Sequence, residues 1–233
     1  LLSEVMLQQT QVQRVIPAYH RFLSRFSTLG ALASEPTADV LRAWEGMGYN
    51  RRALYLKRAA LAVREEHGGS LPRTVEELAR LPGIGRYTSR AVACFAFDVQ
   101  VAVVDTNVRR LLSGLVGRPL TEKETETLAG LLLPVGRAAD WNQALMDYGS
   151  LVERAKPRRL AIPRQRFAES DRFWRGRIVD ALRLHDALPM ALLLAALPEA
   201  GRDESRIRRL VRALHNEGLA AYDEAMDTVA LPA

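Results

Sequence analysis

The chain has one cysteine in 233 residues, Cys94, which excludes an internal disulfide and any metal or iron–sulfur site built from several thiolates. That cysteine lies in an apolar stretch, where a thiol serves as a small core residue. Histidine is equally sparse: His20, His67, His185 and His215 are scattered without ligand spacing, so no metal site is expected. Aromatic residues make up 6% of the chain, and no apolar run approaches the ~20 residues that cross a bilayer, so a soluble helical protein without a membrane partner is expected. The opening residues Leu1-Leu2-Ser3-Glu4 show neither a charged n-region nor a cleavage pattern. No signal peptide is expected there, and the start reads as a fragment that begins mid-helix.

Hydrophobic residues make up 48% of the chain, and its length suits one large or two modest domains with a real core. Lys and Arg number 33 against 27 Asp and Glu, giving a net charge of +6 and a sequence pI near 9.9, compatible with a polyanionic partner. The surplus is local: residues 152–183 hold ten basic and four acidic side chains, as much excess as the whole chain carries. Such a run fits either a phosphate-binding segment or a solvated helix face and linker.

From Leu2 to Phe26, apolar residues at Val5, Val12, Val15, Ile16, Tyr19, Phe22 and Leu23 recur at helical spacing, predicting two helical segments that meet near Pro17. Within them Glu4 precedes Gln8-Gln9-Thr10, a carboxylate followed by amides and a hydroxyl suited to base edges, or else a polar helix start. Gly46-Met47-Gly48-Tyr49 interrupts the helical pattern before a helix that carries Arg51, Arg52, Leu54 and Leu56. Tyr49 on this glycine-flanked turn is a candidate wedge between bases; the alternative is a packed turn aromatic. Thr74 and Glu77 form a capping-box pattern, as do Thr121 and Glu124. Trp141 to Leu151 is amphipathic. Arg154 to Arg166, with Pro157, Pro163 and many cations, reads as a linker. Helices are predicted over 171–184, 189–197 and 204–216, followed by strands at 219–222 and 228–231, a composition that suggests a small winged-helix unit.

The most informative stretch is Leu81-Pro82-Gly83-Ile84-Gly85-Arg86-Tyr87-Thr88. One helix ends, a Pro-Gly-x-Gly turn follows, and another helix begins at once, so backbone N–H groups converge beside a positive helix N-terminus. That is a phosphate cradle, although an ordinary helix-to-helix turn has the same pattern. Asp105 follows the apolar residues Val101 to Val104 and stands either as an N-cap for a helix over 108–116 or as a functional carboxylate.

Together these pieces resemble the helix-hairpin-helix DNA glycosylases, and among them the adenine DNA glycosylases of the MutY type. The resemblance rests on five ordered stretches: residues 3–12, Trp44 to Tyr49, Leu81 to Thr88, Val104 to Arg110, and Asn142 to Gly149. It covers Leu2 to about Leu151 and implies a mainly α, two-lobed helix-hairpin-helix glycosylase fold over residues 1–153; beyond it, composition and pattern give a basic linker over 154–170 and a winged-helix-like α+β domain over 171–233. The resemblance also implies base-excision repair, with adenine opposite 8-oxoguanine or guanine hydrolysed from its sugar in double-stranded DNA. Glu4 corresponds to the acid that protonates the leaving adenine, and Asp105 to the carboxylate that stabilises an oxocarbenium-like transition state. Tyr87 and Asn107 correspond to positioning groups. Relatives of the endonuclease III type carry a lysine at the Tyr87 position, so a monofunctional enzyme without strand cleavage is expected. DNA contacts are expected from Gln8, Gln9, Thr10 and Tyr49, and from Leu81, Gly83, Ile84, Gly85, Arg86 and Thr88.

The chain departs from that family in two places. The family's four-cysteine loop holding a [4Fe–4S] cluster has no counterpart in Glu153 to Arg166, so no cofactor is expected beyond a monovalent cation at the hairpin. Arg154, Lys156, Arg158, Arg159, Arg164 and Arg166 are the candidate phosphate contacts in its stead. The C-terminal region also differs from the family's domain for reading 8-oxoguanine, and Arg206, Arg208, Arg209 and Arg212 on its third helix form either an extra DNA contact or a solvated face. A monomer in the cytoplasm, associated with the nucleoid, is expected. The competing readings are a T·G or U·G mismatch glycosylase of the same superfamily and a noncatalytic DNA-binding protein.

Overall fold

The computed structural model describes residues 1–154, 167–198 and 203–233. These residues pack into two compact units. One holds residues 2–69 together with the C-terminal residues from 167 onward, and the other holds residues 70–154. Packing thus groups the C-terminal segment with the N-terminal helices, a pairing that no local sequence signal announces. Residues 155–166, and with them Lys156, Arg158, Arg159, Arg164 and Arg166, lie outside the described residues; Arg154 ends a helix.

The first unit begins with helices α1 (Leu2–Leu7), α2 (Val12–Arg25), α3 (Leu29–Ser34), α4 (Thr37–Ala43) and α5 (Arg51–Glu66). The first break falls at Gln9, whose φ is +56°, and not at Pro17, which lies inside α2. A left-handed residue ends a helix outright, whereas a proline within a packed helix removes only one N–H. Phe22, Trp44 and Phe26 form the aromatic centre of this unit, with Phe22 edge-on to both neighbours at 4.8 and 5.8 Å between centroids. Met6, Leu41, Leu56 and Val63 close the core around them.

The C-terminal part of the same unit comprises α11 (Asp171–Arg183), β1 (Leu188–Pro189), α12 (Met190–Ala196), α13 (Glu204–Glu217), β2 (Ala221–Asp223) and β3 (Thr228–Ala230). The helices and hairpin predicted from the sequence are present, and a short third strand joins them. The antiparallel sheet has the order β1-β3-β2, with Leu188 opposite Val229 and Tyr222 opposite Val229 on the other side. Trp174, Ile178 and Leu182 on α11 face Ile207, Leu210 and Leu214 on α13 at helical spacing, all buried. Arg183 binds this segment to the N-terminal helices: its guanidinium donates to the Leu41 carbonyl at 3.0 Å and to Asn50 Oδ1 at 2.9 Å, and it pairs with Asp180.

The second unit contains α6 (Val75–Arg80), α7 (Arg86–Phe97), α8 (Thr106–Val116), α9 (Glu122–Leu131) and α10 (Ala138–Arg154). Thr74 caps α6, and Thr121 with Glu124 forms a reciprocal capping box on α9. Among the described residues, no helix is long and apolar enough to cross a membrane.

Candidate nucleic-acid interface and catalytic groups

The turn between α6 and α7 has Gly83 at φ +76°, where a side chain would be strained, and the Ile84 N–H closes it onto the Leu81 carbonyl at 3.1 Å. Gly85 opens α7 without a side-chain cap, which leaves that helix end suited to an anion. Leu81, Ile84 and Thr88 are buried, so what the turn offers a phosphate is the exposed backbone at Gly83 and Gly85. The Arg86 cation is engaged by Glu126, with Glu122 at 3.8 Å.

Asp105 sits at the N-cap of α8. Its Oδ1 accepts from the Val108 N–H at 2.7 Å, and its Oδ2 accepts from Asn107 Nδ2 at 3.0 Å. Both oxygens are therefore oriented, and the carboxylate is half-buried. The capping role and the functional role are compatible, because one carboxylate holds about four lone-pair sites and the cap occupies one of them. Tyr87, the second residue of α7, places its hydroxyl 3.8 Å from Met146 Sδ on α10.

Two residues outside the motifs' expected roles hold this region. Asn142, buried on α10, accepts the Val103 N–H at 2.9 Å and donates to the Val101 and Ala138 carbonyls, each at 2.9 Å. Residues 101–104 are thereby fixed against α10 in a conformation that is neither helix nor strand, and Asp105 follows directly from them. Gly149, two turns further along α10, lies against the Asn107 backbone; a Cβ there would stand 2.9 Å from the Asn107 carbonyl oxygen. Cys94 is buried beside Asn142, and burial pushes its thiol up from the ordinary value, as suits an inert core residue.

In the other unit Glu4 is half-buried on α1, the helix that ends at the Gln8-Gln9-Thr10 turn. Gln9 and Tyr49 both have positive φ, +56° and +47°, and both are exposed. One buried side chain holds both turns. Arg52 donates to the carbonyls of Val5, Met6 and Gln8 at 2.9, 2.8 and 2.5 Å. It also donates to Thr10 Oγ1 at 3.0 Å and to the carbonyls of Met47 and Gly48 at 3.0 and 3.2 Å. Burial pushes its pKa down to about 10, so it stays cationic at neutral pH. The sequence did carry a signal for it: Arg52, Leu56, Ala59 and Val63 share one helical stripe, and a charge on a core stripe needs acceptors. Asn142 interrupts the stripe Ala138, Leu145, Met146, Gly149 in the same way.

The arginines of α13 are committed elsewhere. Arg206 pairs with Asp171 at 2.8 Å, Arg208 with Glu204 at 2.8 Å and Asp227 at 2.7 Å, Arg209 with Asp171 at 3.1 Å, and Arg212 with Glu224 at 2.9 Å. These arginines, read from the sequence as either an extra DNA contact or a solvated face, form an ion-pair lattice with Asp171, Glu204, Glu224 and Asp227.

Residues 2–134 match the family model described as HhH-GPD superfamily base excision DNA repair protein. The chain is 40% identical over 207 residues to an adenine DNA glycosylase of Mycolicibacterium smegmatis, covering 78% of this chain and 71% of that one. Its fold is similar to that of a thermostable thymine-DNA glycosylase, with a TM-score of 0.60 and 30% identity over 64% of this chain and 71% of that one. It is also similar to endonuclease III trapped covalently on DNA, with a TM-score of 0.59 and 23% identity over 64% of this chain and 72% of that one.

Proposed function

Because the chain belongs to the HhH-GPD superfamily of base-excision DNA repair proteins, we propose that its base is adenine, mispaired with 8-oxoguanine or guanine, and that it acts as a monofunctional glycosylase. That it is a DNA glycosylase follows from the family match and the adenine-specific relatives. The reading for adenine is carried by one observation, a carboxylic acid at Glu4 on the helix that leads into the Gln8-Gln9-Thr10 turn.

An N-glycosidic bond is shielded inside stacked DNA, so the nucleotide must first leave the helix. That costs a few kcal/mol, least at a mispair. Breaking the bond moves its electron pair onto the base and leaves positive charge on the sugar. Glu4 supplies the proton that neutralises the departing adenine at a ring nitrogen, and the Asp105 carboxylate stabilises the sugar cation until water adds. Asn107 orients that carboxylate through its 3.0 Å hydrogen bond. The products are free adenine and an abasic site. The chemistry requires no cofactor, and one cysteine cannot hold a four-thiolate cluster. With tyrosine rather than lysine at position 87, this part of the site offers no amine for a Schiff base. The protein acts as a monomer where the DNA is, in the cytoplasm or nucleoid.

A second reading, removal of thymine or uracil opposite guanine, is favoured by the similarity to a thymine-DNA glycosylase. Single-turnover excision on duplexes carrying A·8-oxoguanine, A·G, T·G or U·G, developed with alkali, separates the two. The expected result is adenine release, with no covalent protein–DNA adduct on borohydride treatment. Release from T·G or U·G without release from either adenine duplex would replace the proposal by the second reading, and a borohydride-trapped adduct would refute the monofunctional assignment.

A further inference from the structure

In the unit that carries Tyr49, a cleft of about 990 Å3 runs between the Gly46–Tyr49 turn and α11. Its lining contains seven arginines against two carboxylates, Glu45 and Asp180. Most of those cations already have work. Arg52 holds the two turns, Arg183 holds α4, Arg175 pairs with Glu217 at 2.6 Å, Arg51 lies 3.6 Å from the same carboxylate, and Arg14 donates to the Gly46 carbonyl. Two remain. Arg177 and Arg172 are exposed and, among the described residues, neither has an acidic partner. Arg172 instead lies over the Tyr49 ring, its guanidinium carbon 3.7 Å from the centroid, and among the described residues no carboxylate takes its N–H groups.

Between them on the helix stands Gly176, which also lines the cleft. A glycine inside a helix costs about 1 kcal/mol relative to alanine. No packing demands it here, since an added Cβ would meet nothing within 4 Å. What the missing side chain does provide is a bare strip of helix between two unpaired cations and beside an exposed aromatic.

We propose that this cleft is a second DNA-backbone site, in which the phosphodiester strand next to the Tyr49 turn passes over Gly176 and its phosphates pair with Arg172 and Arg177. The winged-helix-like segment then meets DNA through its first helix, α11, and not through α13, whose cations are already paired. The proposal rests on the protein's action on DNA and is independent of which base is excised.

Binding of the full chain to a duplex bearing an uncleavable abasic-site analogue, followed by fluorescence anisotropy across a salt series, tests it. The double variant R172A/R177A should bind about tenfold or more weakly and lower the slope of log K against log salt by about 0.9 for each phosphate that is no longer neutralised. G176L should weaken binding as much with no change of charge. R209A/R212A should leave affinity and slope as in the wild type. Wild-type binding by folded R172A/R177A, or by folded G176L, would overturn the proposal, as would a loss confined to R209A/R212A. Adenine release by the wild type is scored separately. If α11 governs binding while adenine stays in place, the base assignment fails and this site stands; if adenine is released and α11 is silent, only this site fails.

Discussion

Asn107 donates to Asp105 Oδ2 at 3.0 Å while the other carboxylate oxygen caps α8, so one side chain serves as a helix cap and as an oriented anion. Asparagine caps a helix about as well as aspartate does. Asp105→Asn should therefore leave the thermal midpoint and DNA affinity close to those of the wild type while excision falls by about 10²–10³ or more, the magnitude typical of a lost charge-stabilising group. Single-turnover rates beside anisotropy check this. A variant that still excises at about a tenth of the wild-type rate would remove Asp105 from the chemistry.

Gly149→Ala should do damage that no exposed glycine would. Its Cβ would lie 2.9 Å from the Asn107 carbonyl oxygen, so α10 and α8 must separate. The expected cost is about 1–3 kcal/mol of stability, as for other overpacked sites. Excision should fall further than in Gly114→Ala, where a Cβ on α8 meets nothing and the helix gains about 0.5–1 kcal/mol. Denaturant midpoints and excision rates of the pair measure the difference; equal behaviour would refute the close approach.

Arg52→Met should be the most destabilising single change in the N-terminal helices. It strands the buried carbonyls of Met6 and Met47 among others, each orphaned acceptor costing roughly 1–3 kcal/mol. A loss of about 3 kcal/mol or more in urea is expected, with helical circular dichroism retained. Arg52→Lys should recover only part of it, because one ammonium cannot reach both turns. A loss below about 1 kcal/mol would contradict the clamp.

The sheet at the C-terminus should loosen in acid. Arg208 first, and Tyr222 second, hold Asp227 down to a pKa of about 2, well below the usual carboxylate value. A depressed folded pKa gives stability that is complete above the ordinary value and is lost as pH falls through the folded one. Asp227→Asn should thus melt lower than the wild type at neutral pH, with the deficit shrinking between about pH 4 and pH 2. A deficit that stays constant across that window would exclude the ion pair as its source.

The sequence by itself determined most of the helices, the Pro-Gly-x-Gly turn and the residue types on which the proposed chemistry rests. These depend on local rules: apolar spacing, caps such as Thr121 with Glu124, glycine where φ is positive, and a carboxylate after Val104. It also held clues in Arg52 and Asn142, polar groups on apolar stripes, each with partners far along the chain: the Val5 carbonyl lies 47 residues from Arg52 and the Val103 N–H 39 residues from Asn142. Only the tertiary structure decided where the C-terminal segment packs and which of its cations are available. Arg209 and Arg177 look alike in sequence, yet Asp171 lies within 3.1 Å of Arg209 and no carboxylate among the described residues does the same for Arg177. Charge in a sequence is a property of residues; charge available to a ligand depends on which opposite charges folding brings alongside, and that is set by contacts too distant along the chain for any local pattern to encode.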